Sequence, residues 1–257
     1  MLSVDTTNGL KVENGGVCRH NMRVHEFHPE IWAKAYGLIC ETNQEIILID
    51  PVYDYIQTYL DFISQHGYSM RSVIATHTHA DHITACFSLS ASFHCDYIMH
   101  ETTASLGVTT YVNESSVIEF AGVNIHFHHV PGHTNDSMII DTGSHIFTGD
   151  FLFTGSAGVG RDDLPSGRMK QHWESLSKIT KLDGQSVMYT GHEPPHTKMQ
   201  TLEWSREHNP VLKMSSYEDY EAWQLACIEQ LGSVSKIKIA LPANLFGEVP
   251  EVIPWLN

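Results

Sequence analysis

Thr76-His77-Thr78-His79-Ala80-Asp81-His82 packs three histidines and one aspartate into seven residues. The largely apolar Ser72-Val73-Ile74-Ala75 runs straight into it, so the stretch reads as the loop at the end of a buried strand. His77 and His79 share a parity, and on an extended chain their imidazoles can point to one side. Asp81 and His82 fall where the chain turns into the helix-like stretch Ile83–Phe93. Neutral imidazole and carboxylate are standard ligands for borderline and harder divalent cations, so this stretch can hold one or two metal ions. The chain has 18 histidines, which makes a chance surface cluster the competing reading. Three later segments argue against chance: Pro131-Gly132-His133-Thr134, Phe147-Thr148-Gly149-Asp150 and Tyr189-Thr190-Gly191-His192. Each sets a single His or Asp directly after glycine at the end of a strand-like run.

The pattern around these segments is α+β. Residues 1–30 are polar, with Asn8-Gly9, Asn14-Gly15-Gly16 and His28-Pro29 as turn signals, and a hairpin before the core is expected there. Ala35–Cys40 and Glu45–Ile49 read as strands joined across Thr42-Asn43-Gln44, the second ending in Asp50-Pro51. Tyr53–His66 carries apolar residues at helical spacing (Tyr55, Ile56, Tyr59, Leu60, Ile63), and Gly67 stops it. Ser72–Ala75, Tyr97–Met99, Val117–Phe120, Val123–Phe127, Ser137–Asp141, His145–Thr148 and Val187–Tyr189 read as strands. The glycine-rich segment 155–167 is a loop. Met169–Leu182, Lys198–His208 and Tyr217–Leu231 read as helices, and Lys236–Ala240 as a final strand-like run before Pro242. Strand–helix–strand–loop order implies a sheet with an outer helix.

At 257 residues and 42% hydrophobic content the chain can bury a full core. A net charge of −15, spread along the sequence, argues against nucleic acid and anionic membrane surfaces as partners. No apolar run reaches transmembrane length, and no basic-then-apolar signal pattern opens the chain. The cysteines (Cys18, Cys40, Cys86, Cys95, Cys227) are odd in number and show no CxxC spacing, which fits a reducing cytosol and a cytoplasmic location.

Taken in order, the four His/Asp motifs resemble those of the metallo-β-lactamase superfamily over roughly residues 35–195. The resemblance implies a four-layer αβ/βα sandwich, here one domain over residues 1–257 with 197–257 as a short C-terminal extension. It also implies a ligand scheme. One metal position would use His77, His79 and His133; a second would use Asp81, His82 and His192, with Asp150 bridging. Within the superfamily the sequence is most similar to the persulfide dioxygenases, relatives of glyoxalase II. The segments that carry this are Ala75–Thr84 (ATHTHADHIT), Pro131–Asn135 (PGHTN), Gly160–Asp163 (GRDD) and Ala240–Asn244 (ALPAN). In those enzymes one iron sits on three ligands, which map to His77, His133 and Asp150.

What this resemblance implies is a mononuclear Fe(II) dioxygenase, one iron per chain, using O2 to oxidise a low-molecular-weight, glutathione-type persulfide to sulfite. The alternative is a dinuclear thioester hydrolase of glyoxalase II type with two zinc ions or a mixed iron/zinc pair. A third reading is a non-catalytic metal-binding protein on the same scaffold. The chain departs from the family pattern at Glu30-Ile31-Trp32-Ala33-Lys34, in the loop between Asp150 and Arg161, at Asp162 where threonine is usual, and at Gly191-His192-Glu193-Pro194. Arg161 could anchor a substrate carboxylate; its competing role is an internal ion pair with Asp162 or Asp163. Asp50, at its strand end, could orient a ligand histidine by hydrogen bonding. Cys86 reads as a small buried thiol one turn into a helix, and Trp204, Tyr220 and Trp223 as C-terminal packing. The sequence leaves homo-oligomerisation open.

Overall fold

A computed structural model describes residues 22–256. The turn signals at Asn8-Gly9 and Asn14-Gly15-Gly16, and Cys18, lie outside the described residues. Two mixed six-stranded sheets face each other. The first contains, in spatial and chain order, β1 (Met22–Glu26), β2 (Tyr36–Cys40), β3 (Glu45–Ile49), β4 (Ser69–Ile74), β5 (Asp96–His100) and β6 (Thr110–Val112). The first three run antiparallel, and β3 through β6 run parallel. The second sheet is built from β7 (Val117–Phe120), β8 (Val123–His129), β9 (Met138–Asp141), β10 (His145–Gly149), β11 (Val187–Thr190) and β12 (Gln200–Thr201). Its strands are antiparallel except for the β10–β11 pair.

The central strands read as continuous apolar runs because both of their faces are covered. In β3, Ile47 and Ile49 point between the sheets and Ile46 and Leu48 point outward, and all four are inaccessible to solvent. The inter-sheet layer joins Tyr36, Leu38, Ile47, Ile49 and Ile74 to Phe127, Ile140 and Phe147. Outside the first sheet, α1 (Ile56–His66) buries Tyr59 and Ile63, and α2 (Cys86–Phe93) buries Cys86 and Leu89. Gly67 closes α1 at φ 68°, a left-handed cap that glycine adopts without strain. Outside the second sheet, α3 (Met169–Leu176), α4 (Leu202–His208) and α5 (Tyr217–Leu231) cover Ile139, Ile146 and Met188. The result is the four-layer αβ/βα sandwich that the motifs implied.

Three local expectations need correction. The helix expected from Ile83 starts only at Cys86, because backbone bonds tie the preceding turn to the first sheet: Tyr53 donates to Ile83, Ala85 donates to Pro51, and Val52 bridges Thr84. Cys86 is therefore the first helical residue. Lys236–Ala240 is not a strand but opens α6 (Ile237–Phe246), with Pro242 inside it. Within that run Ile237 and Ile239 alternate with Lys236 and Lys238, which fits period two. The residues buried are instead Ala240, Ala243 and Asn244, spaced by three and four on one helical face. The helix expected from Lys198 starts only at Leu202, because Gln200–Thr201 form β12. The short strands β6 and β12 carried no period of their own in the sequence and owe their conformation to pairing with β5 and β11.

Direction of the strands decides where the functional loops fall. β3 and β4 are parallel, β10 and β11 are parallel, and β8 runs with β10 across the intervening β9. The ends of β3, β4, β8, β10 and β11 therefore open on one edge of the sandwich, and every His/Asp motif follows one of these ends. Ile47 lies at the centre of the layer between the sheets. Ile47→Ala should lower the unfolding free energy by about 2–5 kcal/mol, measured by urea denaturation. A loss well below 1 kcal/mol would mean that the two sheets do not share this core.

Candidate metal centre

At that edge the side chains fall into two groups that could each hold an ion: His77, His133 and Asp150, and His79, Asp81 and His82. Within each group the ligand atoms lie within 4.8 Å of one another. His77 Nε2 lies 3.9 Å and His133 Nε2 3.6 Å from the same oxygen, Asp150 Oδ2. His192 sits between the groups, its Nδ1 2.8 Å from Asp150 Oδ1 and its Nε2 3.0 Å from Asp81 Oδ2. The grouping differs from the dinuclear scheme in two respects: His79 clusters with Asp81 and His82 rather than with His77 and His133, and His192 belongs to neither group.

Neighbouring acceptors fix the ring orientations. Asp50 is buried, 3% exposed, at the end of β3. Its Oδ1 accepts the Thr76 N–H at 2.7 Å and its Oδ2 accepts the Thr76 hydroxyl at 2.7 Å. With its proton committed, Thr76 Oγ1 is left to accept from His77 Nδ1–H at 2.9 Å, so His77 presents a bare Nε2. His79 Nε2–H donates to Asp50 Oδ1 at 3.2 Å, leaving Nδ1 bare. His82 Nδ1–H donates to Asp81 Oδ2 at 3.1 Å, leaving Nε2 bare. His133 Nδ1–H donates to the Arg161 carbonyl at 2.6 Å. His77 Nε2, His79 Nδ1 and His82 Nε2 are buried nitrogens without a hydrogen-bond partner. A buried polar atom left unpaired is costly, so the bare nitrogen of His77 in the first group and those of His79 and His82 in the second fit cations as their missing partners.

Electrostatics agree with that fit at His77, His82, Asp150 and Asp81. Burial pushes the His77 and His82 imidazoles below their ordinary value and so keeps them neutral. Burial alone would raise the carboxyls of Asp150 and Asp81. The facing imidazoles outweigh it: His192, His77 and His133 hold Asp150 below the carboxylate range, and His82 and His192 do the same for Asp81. Burial likewise opposes a charge on His192, but Asp150 and Asp81 hold it well above its ordinary value, as a donor to both. His79 is also raised, burial being overcome by its hydrogen bond to Asp50. Two glycines make the close approach possible. A Cβ on Gly160 would lie 2.3 Å from the Asp150 carbonyl oxygen and 2.8 Å from His133 Nδ1, and one on Gly191 would lie 2.3 Å from Asp150 Oδ1.

Further residues support the ligands, and of these Asp136 carries no signal in the sequence. Asp136 accepts from Thr78 N at 3.2 Å and from the Thr134 hydroxyl at 2.6 Å, joining the His-rich loop to the His133 loop. Asn244, inside the ALPAN segment, donates to the carbonyls of His79 and His82 at 2.9 Å and accepts from Thr84 N. Glu193 accepts Thr154 N–H at 2.6 Å, tying the segment after Asp150 to the end of β11. The divergent segment before β2 lies beside His192: Ala33 bridges His192, and Lys34 N–H donates to the Gly191 carbonyl. Arg161 forms the internal ion pair, its Nε and Nη2 2.6 and 2.7 Å from the two oxygens of Asp163, and its Nη1 donates to the Gly232 carbonyl. Burial pushes the Cys86 thiol well up, which leaves it an inert core group.

Known proteins resemble this chain in sequence and fold. The family model of the metallo-beta-lactamase superfamily matches residues 33–192. The chain is 28% identical to the mitochondrial persulfide dioxygenase ETHE1 of Mus musculus, over 85% of each protein. It is 29% identical to the hydroxyacylglutathione hydrolase of Idiomarina loihiensis, over 88% of this chain and 85% of that one. It spans 60% of the length of another relative, a beta-lactamase hydrolase-like protein of Agrobacterium fabrum, at 25% identity. Among solved structures, ETHE1 from Myxococcus xanthus superposes with a TM-score of 0.79 at 26% identity, covering 88% of this chain and 98% of that one.

Thr76 is the link whose removal isolates orientation from ligation. Thr76→Val keeps the shape but deprives Asp50 Oδ2 of its donor and His77 Nδ1 of its acceptor. Metal affinity should fall about 10–100-fold in chelator competition, the usual cost of losing such a supporting contact. Unchanged affinity would show that His77 needs no orienting partner.

Proposed function

The chain belongs to the metallo-beta-lactamase superfamily, and within it we propose a metal-dependent persulfide dioxygenase with one iron(II) on His77, His133 and Asp150. The observation that carries this reading is how Asp150 divides its carboxylate. Oδ1 faces His192, which donates to it, while Oδ2 faces the bare nitrogen edge of His77 and His133. Two imidazoles and one carboxylate on one face are the arrangement of iron(II) oxygenases, which leaves open positions for substrate and O2. Iron(II) held there would supply the redox chemistry with dioxygen. The chain's own part is orientation. Asp50 and Thr76 aim His77, the Arg161 carbonyl aims His133, and His192 anchors the outer oxygen of Asp150. In this reading His79, Asp81, His82 and His192 line the pocket.

The substrate of this reading is a low-molecular-weight persulfide of glutathione type. Its outer sulfur leaves as sulfite and its inner sulfur as the free thiol, with dioxygen as oxidant and water supplying the third oxygen. A cavity of about 270 Å3 lies beside the His-rich loop, with Thr78, Ala80, Thr134, Leu164 and Leu241 in its wall. Leu164 also borders a second cavity of about 510 Å3 whose wall includes Arg161, Asp163 and Lys238. Arg161, although paired with Asp163, thus contributes to a charged wall suited to the zwitterionic end of such a substrate.

One observation favours the dinuclear thioester hydrolase as the second reading. His79 Nδ1 and His82 Nε2 are also bare and buried, and together with Asp81 they could take another ion.

Iron-loaded protein supplied with glutathione persulfide should consume oxygen and release sulfite. Zinc-loaded protein should do neither, because zinc has no redox chemistry. No oxygen uptake, together with rapid anaerobic cleavage of an acylglutathione thioester, would overturn the proposal. His192→Ala gives a separate test by metal analysis. The variant should keep its iron, since in this reading His192 donates to Asp150 and Asp81 and is not itself a ligand. Loss of half of a two-metal content would favour the hydrolase.

A further inference from the structure

The loop from Gly160 to Asp163 supports the His133 ligand, and α5 holds that loop. Asp162 stands where the family pattern has threonine, and its side chain is completely buried. Its Oδ2 accepts the Tyr220 hydroxyl and the Gln224 amide, the latter at 2.9 Å. Its Oδ1 accepts His172 Nδ1–H at 2.6 Å. Gln224 also donates to the Gly160 carbonyl at 2.8 Å. Next to these atoms the Arg161 carbonyl takes the His133 proton, and Gly160 N–H donates to the Asp150 carbonyl at 2.8 Å. His172 closes the circuit on the far side, with Nε2–H donating to the Phe151 carbonyl at 2.8 Å. Burial and the Asp162 carboxylate push the Tyr220 hydroxyl well above its ordinary value, so it stays a donor. A threonine at 162 could not accept three such donors at once, because its single hydroxyl offers two lone pairs.

We propose that Tyr220 and Gln224 of α5, acting through Asp162, are positioning residues that hold the Arg161 carbonyl on His133 and so set the metal affinity of the centre. The inference rests on His133 being a metal ligand. It assigns to α5 a role that packing alone does not require. Packing needs the tyrosine ring, whereas this role needs its hydroxyl.

The test uses the full-length chain and Co(II) as a spectroscopic probe. Co(II) affinity and ligand-field spectrum would be measured for the wild type, Tyr220→Phe, Tyr220→Phe/Gln224→Leu and His133→Ala. An Ile179→Val variant provides the stability control, since it trims the same outer core without touching any hydrogen bond of the loop. The double variant should bind Co(II) about 10–100-fold more weakly with an altered spectrum, and Tyr220→Phe should fall between it and the wild type. Ile179→Val should lose stability and keep wild-type affinity. Should the double variant fail to fold, Tyr220→Phe alone decides, since it removes one oxygen and keeps the ring. Wild-type affinity and spectrum in the Tyr220 variants, with affinity lost in His133→Ala, would overturn the proposal and leave the metal centre standing. Equal weakening in Ile179→Val and Tyr220→Phe would also overturn it, by making the effect one of stability. Undiminished Co(II) binding in His133→Ala would overturn the ligand assignment and this inference with it.

Discussion

Asp50 ends β3 in a left-handed backbone conformation, φ 50°, that turns its carboxylate under the neighbouring strand end. There it accepts from the Thr76 amide, the Thr76 hydroxyl and His79 Nε2. Because β3 and β4 are adjacent and parallel, the register of the sheet sets these distances. The carboxylate then determines which nitrogen each of two histidines can offer. Thr76 gives its proton to Asp50 and must take one from His77, which exposes Nε2. His79 gives its Nε2 proton to Asp50 and exposes Nδ1. One buried acceptor thus sets both tautomers, and the remaining ligand geometry is built around that choice.

The second sheet supplies the matching half. His133, Asp150 and His192 follow β8, β10 and β11, which open on the same edge as β3 and β4. These side chains come close only because the chain between them has no Cβ where it passes the ligands, at Gly160 and Gly191. His77, His79, His82 and His133 are buried by the sandwich, while Asp81 and His192 keep side-chain exposures of 38% and 23% at its edge, so the inner groups lean on their neighbours rather than on solvent. The C-terminal helices add restraint from outside: Asn244 of α6 grips the His79 and His82 carbonyls, and α5 reaches Gly160 and Asp162.

How much of this was legible in the sequence follows from how local each signal is. The candidate ligands were readable because His133, Asp150 and His192 each follow a glycine at a strand end and the others share one seven-residue stretch. The αβ/βα layering was readable because the motifs resemble a known family and the central strands are apolar throughout. Asp136 was not readable, since its partner Thr78 lies 58 residues away along the chain and nothing local marks it. Asn244 stood inside the ALPAN segment, but its partners, 160–165 residues away, had no local sign. Tyr220 looked like packing, and its ring does pack, but its hydroxyl reaches Asp162. Arg161 had two readings in the sequence, substrate anchor or ion pair. The structure pairs it with Asp163, and neither role could be preferred without knowing where Asp163 pointed. Lys236–Ala240 reads as a strand because Ile237 and Ile239 alternate with polar neighbours, while the burial that selects a helix comes from Ile83 far upstream.

X-ray absorption on the iron-loaded protein tests the central claim most directly, because it reads the ligands of the ion rather than the outcome of a reaction. An ion held by His77, His133 and Asp150 predicts an iron with two imidazoles and one carboxylate from the protein, light-atom ligands at its remaining positions, and no second metal nearby. A metal–metal vector at about 3.5–4 Å, with the additional imidazole scattering of His79, His82 and His192, would contradict it and establish a two-metal centre.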